Sequence, residues 1–107
     1  MNKHPQRKGA DGERELATIL CQYGYEVKRG GSLCFGQKPD LYGLSGLHIE
    51  VKRVEKLNIN KAMEQAERDA LKFADGAPTV FHRKNRTPWL VTMRLENYLD
   101  LYRAARA

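Results

Sequence analysis

Apolar residues recur early in the chain at Leu16, Ile19, Leu20 and Tyr23, the spacing of one helix face, with Asp11 as the predicted N-cap and Gly24 as the stop. The charged side of this helix begins with Glu13, Arg14 and Glu15. Tyr25 to Arg29 alternates loosely and is rich in strand formers, and Gly30-Gly31-Ser32 then opens a loop reaching Pro39. Leu41 to Leu44 and Leu47 to Arg53 form two short extended segments whose Ser45-Gly46 connection predicts an antiparallel hairpin. From Asn58, the positions Ile59, Met63, Ala66, Ala70 and Phe73 step by three and four, predicting an amphipathic helix that ends near Gly76-Ala77-Pro78. Thr79 to His82 and Trp89 to Met93 read as strands around Arg83-Lys84-Asn85-Arg86, and Leu95, Tyr98, Leu99 and Tyr102 mark a last helix. The predicted order is αβββαββα, an α/β (α+β) mixed sheet flanked by helices.

Residues 1–8 carry Lys3, Arg7 and Lys8 without apolar periodicity and read as a flexible basic arm ahead of a single domain over 9–107. The 107 residues suit one hydrophobic core rather than two. No apolar run approaches the roughly 20 residues that span a bilayer, and Met1 to Pro5 lacks a signal peptide's apolar stretch, so the expected location is the cytoplasm. Lysine and arginine number 19 against 13 acidic residues, a formal charge of +6 that favours polyanions and puts nucleic acid first among partners. The same excess also serves solubility, so chemistry has to decide. Cys21 and Cys34 form no CxxC pair and have no histidine at ligand spacing, which argues against zinc; Cys21 falls on the apolar helical pattern and reads as core.

Within Leu47-His48-Ile49-Glu50-Val51-Lys52, alternation sends Leu47, Ile49 and Val51 to one face and His48, Glu50 and Lys52 to the other. Asp40 stands just after Pro39 at the mouth of the preceding strand, which a tight hairpin brings near the middle of this one. Phosphodiester hydrolysis requires a clamp for growing negative charge and an activated water, and magnesium held by one or two carboxylates supplies both. Asp40 and Glu50 suit that ion. Lys52 suits three roles equally: orienting the water, deprotonating it, or stabilising charge on the phosphoryl oxygens. An E-x-K triplet alone is more often the solvated face of a half-buried strand.

The ordered set Pro39-Asp40, a nine-residue spacer, then Ile49-Glu50-Val51-Lys52 resembles the PD-(D/E)xK nuclease superfamily. Lys8-Gly9, Glu13-Arg14-Glu15-Leu16, Gly24-Tyr25, Arg29, Gly31-Ser32 and Pro39-Asp40-Leu41 narrow the likeness to archaeal-type Holliday junction resolvases and their phage relatives. The resemblance implies a restriction-endonuclease-like core and a structure-selective endonuclease that resolves four-way DNA junctions and leaves a 5′ phosphate. It implies magnesium, with manganese able to substitute, and a homodimer, to whose interface Phe73 and its apolar neighbours are assigned, with a place in the core as the alternative. It places Glu13 in the metal site with Asp40 and Glu50, Lys52 beside them, and Ser32 near the scissile phosphate. Lys8, Arg14, Arg29, Arg83, Lys84 and Arg86 become candidate DNA contacts, and Gln65 a helical residue near the metal. Surface or internal salt bridges are the competing role for Arg14 and Arg29. Trp89 reads as core rather than as a base-stacking residue. Two rival functions stay open: a related nuclease acting on flaps, ends or duplex DNA, and a branched-DNA-binding module that does not cut.

Overall fold

The computed structural model describes residues 5–30 and 38–107, with the side chains of 5–8 excepted. Their order is α1 (Pro5–Gln22), β1 (Lys28–Arg29), β2 (Leu41–Tyr42), β3 (Gly46–Arg53), α2 (Ile59–Phe73), β4 (Gly76–Arg83), β5 (Leu90–Met93) and α3 (Leu95–Ala105), the predicted αβββαββα. The strands make one mixed sheet in the order β1-β2-β3-β4-β5. β3 and β4 run parallel from Gly46 opposite Gly76 to Arg53 opposite Arg83, while the other neighbouring pairs are antiparallel. Parallel neighbours need a crossover, and α2 provides it.

Alternation along β3 divides the core between the two faces of the sheet. Ile49 and Val51 pack with Leu16 of α1, Val27, Leu41 and Phe81. On the other face, Val80 packs with Ala62, Met63 and Ala66 of α2. The small alanines let this helix lie close over the polar side of β3, which is where the chemistry sits. Asn58 caps α2 by accepting the Lys61 N–H at 3.1 Å, and Ala74 ends it in the left-handed region at φ 51°.

Four expectations change. The basic arm is helical from Pro5, so Asp11 lies inside α1 and pairs with Arg14 at 3.3 Å instead of capping it. Proline suits a first helical turn because it has no N–H to leave unpaired. Cys21 is exposed, its Sγ donating to the Val27 carbonyl at 3.5 Å, because the apolar face of α1 is centred on Leu16 and Leu20. β1 shrinks to Lys28–Arg29, the two residues that pair with β2 on that side. Gly76-Ala77-Pro78 opens β4 rather than closing α2. Pro78 is tolerated there because β5 pairs only with Thr79 to His82, so β4 overhangs its neighbour at that point. Gly76 has φ 137°, and a Cβ on it would collide with the Gly46 backbone, so the strand can start beside β3 only with glycine.

Candidate active site

The polar face of β3 lies beneath α2 and is not solvated: His48 is 1% and Glu50 3% exposed. A buried carboxylate requires partners, and Glu50 has several. Its Oε1 lies 3.3 Å from His48 Nε2, and its Oε2 lies 3.9 Å from Lys52 Nζ. Asp40 arrives from the segment before β2 and accepts the Val51 N–H at 2.9 Å, which ties its carboxylate to the middle of β3. The two carboxylates repel each other. Burial first, then the charge of Glu50, pushes Asp40 up to about 7 against the opposing pull of the Val51 N–H and Lys52.

A cavity of about 220 Å³ opens over this pair, lined by Lys38, Asp40, Glu50, Gln65, Asp69 and Lys72 among others. Gln65 accepts a hydrogen bond from Lys52 Nζ at 3.0 Å and so holds the ammonium at the cavity edge. Among the described residues, His48, Glu50 and Asp69 bring potential ligand atoms within 4.8 Å of one another. Burial and the Asp40 charge raise Glu13, in that order, although Arg29 donates to it at 3.2 Å. Crowded, partly buried oxygen donors that cannot all ionise cheaply fit a hard divalent cation, which relieves their repulsion.

The model of the archaeal Holliday junction resolvase family (Hjc) matches residues 4–104. The chain belongs to that family. A solved structure of Hjc from Archaeoglobus fulgidus, a Holliday junction resolvase of an archaeal hyperthermophile, is similar at 26% identity and a TM-score of 0.56, covering 80% of this chain and 72% of its own. No curated protein matches the chain. The resolvase is therefore a hydrolytic endonuclease of branched DNA with a restriction-endonuclease-like fold, and its family implies a divalent metal. No helix among its described residues is long and apolar enough to cross a membrane.

The structure of the resolvase brings Asp40, Glu50, Lys52 and Gln65 together and sets Glu13 where its charge couples to Asp40. Glu15 turns elsewhere: it accepts from Arg83 Nη1 and from Trp89 Nε1, the latter at 2.9 Å, and lies 3.7 Å from Arg53 Nε. Arg83 is thus engaged inside the molecule, Arg29 is paired with Glu13, and Arg14, Lys84 and Arg86 are exposed. Trp89 is half-buried against the core around Ile49. Ser32 and the side chain of Lys8 lie outside the described residues. Phe73 does not form a free apolar face, because its ring stacks on His48 with centroids 6.1 Å apart. Sequence reasoning missed His48, Asp69 and the cavity lysines. Asp69 follows Gln65 by four residues and so shares its helix face, a spacing that was available.

A consequence for stability follows from the acid pair. Unfolded, Asp40 takes its ordinary value of 3.8; folded without metal, it holds its proton up to about 7. The fold then binds more protons than the unfolded chain between those values, so stability falls as pH rises through that window. In chelator, the thermal midpoint of the resolvase is expected to be higher at about pH 5 than at about pH 8, and adding a divalent metal at the higher pH should restore it. A metal-free midpoint that rises with pH across this range would contradict the geometry of the pair.

Proposed function

We propose that this resolvase acts as a two-fold homodimer that nicks a four-way DNA junction on symmetric strands, using magnesium held by Asp40 and Glu50, with Glu13 completing the site. The observation that carries the reading is the convergence of Asp40 and Glu50 on one cavity, with the Lys52 ammonium beside Glu50, in a chain that matches the resolvase family over nearly its whole length. Bound there, magnesium or a substituting manganese would supply positive charge for the phosphoryl oxygens and lower the pKa of a water. The protein supplies the rest. The Asp40 carboxylate is fixed by a backbone N–H, and Glu50 is fixed between His48 and Lys52. Lys52, restrained by Gln65, stands where it can orient the attacking water or bind a phosphoryl oxygen. Water attacks phosphorus, the bond to the 3′ oxygen breaks and that oxygen leaves as a 3′ hydroxyl, so the phosphate stays on the 5′ end.

Lys38 and Lys72 line the same cavity and add positive charge where a backbone phosphate would enter. Arg14, Lys84 and Arg86 extend the basic surface, and by family likeness Lys8 joins the DNA contacts and Ser32 serves the scissile phosphate. Arg29 and Arg83 contribute to DNA binding next to their internal carboxylate partners. Contacts of this kind grip the backbone and carry little base preference. The enzyme works on DNA in the cytoplasm.

A second copy fits a different face from the one that the sequence suggested. α3 buries none of its residues, although it carries Leu95, Tyr98, Leu99 and Tyr102, and Leu90 and Val91 of the adjacent edge strand β5 are also exposed. Exposed large apolar side chains in this number on one helix and the strand before it mark an interaction surface. A four-way junction presents two equivalent strands to be cut, which a two-fold pair of chains matches. The test uses labelled four-way junction, flap and linear duplex of matched sequence, with magnesium or chelator, alongside sedimentation of the protein. Paired symmetric nicks confined to the junction, dependent on magnesium and made by a species of twice the chain mass, are expected. Equal cutting of flap or duplex would end the junction assignment, and a monomer active on junctions would end the dimer.

A further inference from the structure

The buried His48 is not needed by the chemistry described above, yet both of its ring nitrogens are engaged. Nδ1 faces both carboxylate oxygens of Asp75, at 2.9 and 3.0 Å, and Nε2 faces Glu50 Oε1 at 3.3 Å. The ring is also stacked on Phe73 with an interplanar angle of 14°. Asp75 itself is set by the backbone: it lies between Ala74 in the left-handed region and Gly76 at φ 137°, in the turn that carries α2 into β4. An aromatic ring with a carboxylate on one edge and a phenyl on its face has little freedom left.

We propose that Asp75 and His48 form a positioning relay that orients Glu50 for metal binding. The inference rests on the reading of Asp40 and Glu50 as metal ligands. The terminal torsion of a glutamate is broad, so a carboxylate with a single partner samples many orientations. With a carboxylate at each nitrogen the ring donates from both, as imidazolium, so Oε1 is held by Nε2–H while Oε2 is left on the side of Lys52, 3.9 Å from its Nζ. The two oxygens therefore have separate duties, one structural and one available to a cation beside Asp40. Outer partners of ligands commonly change metal affinity about 10- to 100-fold when removed. His48 acts through Glu50 and is a positioning residue; Asp75 acts through His48.

The experiment measures Mn²⁺ binding to the full chain by the loss of the free-ion electron paramagnetic resonance signal, together with the Mn²⁺ concentration that half-saturates junction cleavage. His48→Leu is expected to raise both midpoints about 10- to 100-fold, with cleavage recovering most of its rate once the metal is saturating. His48→Gln, whose amide nitrogen can reach the Nε2 position, should fall nearer the parent protein. Asp75→Ala, in a turn where the side chain is 25% exposed, should shift the midpoints in the same direction and carries the test if His48→Leu does not fold. Unchanged Mn²⁺ midpoints in His48→Leu and Asp75→Ala overturn the relay. So does nitrogen modulation in the electron spin echo of bound Mn²⁺, which would make His48 a ligand. Asp40→Asn separates the two levels: if the parent binds no Mn²⁺ that this variant loses, the metal site itself is misassigned and the relay falls with it.

Discussion

Asp40→Asn and Glu50→Gln are each expected to slow junction cleavage by about a thousand-fold or more while leaving junction binding intact or tighter. A metal at a phosphoryl centre contributes several kcal/mol of transition-state stabilisation, and each 1.36 kcal/mol is a factor of ten, so losing roughly 4 kcal/mol gives this scale. Both substitutions remove one negative charge and almost no volume. The amide oxygen of the Asp40→Asn variant could still accept the Val51 N–H that Asp40 accepts at 2.9 Å, so the hairpin should survive. Burial and then the Glu50 charge push Asp40 up to about 7, so Asp40→Asn, which removes the charge that both oppose, should be no less stable than the metal-free parent. Binding is governed by lysine and arginine contacts to phosphate, and a less negative cavity attracts the backbone more strongly. Single-turnover cleavage with magnesium and gel-shift in chelator separate the two effects. Cleavage within tenfold of the parent for both variants would remove Asp40 and Glu50 from the site.

The convergence of the two carboxylates and the ammonium was legible because it is local. Asp40, Glu50 and Lys52 belong to one hairpin, and strand alternation with a tight turn is enough to put them on one side of the sheet. Leu41 does pair with Ile49, the register this requires. The Asp75–His48 contact spans 27 residues and depends on where the crossover helix returns the chain, so no periodicity announces it. Asp69 was in view at four residues from Gln65, but without the packing of α2 on β3 nothing distinguished it from any other helical carboxylate. The misread helix ends have the same origin. Gly76-Ala77-Pro78 has the composition of a stop, yet its role is set by the close approach of Gly46, a tertiary constraint.

Glu13 and Glu15 show how far spacing alone can go. Residues two apart on a helix point in different directions, so the sequence implies that at most one of the two faces the cleft. The structure gives Glu15 to Arg83, Arg53 and Trp89, a cluster that ties α1 to β3, β4 and the start of β5, and leaves Glu13 with Arg29 on the side where it senses Asp40. One glutamate fastens the helix to the sheet, and the other lies toward the cavity that the fastening has positioned. Gly12, just before them, is buried, and a Cβ there would come within 2.9 Å of Arg53 Cβ, so the same helix approaches β3 too closely for a larger residue.

Replacing Lys52 by methionine is expected to cost about 10²- to 10⁴-fold in the single-turnover cleavage rate, the range for a positioned group that acts on the water or on phosphoryl charge. Methionine keeps most of the aliphatic length of the side chain, so the loss reports the ammonium rather than packing. Lys52→Arg should not restore the rate: its planar fork is larger and cannot place a point charge where Nζ now sits, 3.0 Å from Gln65 Oε1 and 3.9 Å from Glu50 Oε2. Gln65→Ala should give a smaller loss, because the ammonium remains but is no longer held. The discriminating measurement is the metal dependence of each variant. If Lys52 serves the reacting phosphate or water, Lys52→Met lowers the maximal rate and leaves the half-saturating Mn²⁺ concentration within a few-fold of the parent, whereas a charge partner needed mainly by Glu50 would move that midpoint instead. A Lys52→Met protein that cuts junctions at the parent rate would show that the Asp40 and Glu50 carboxylates suffice with their metal, and that the ammonium beside them belongs to the fold.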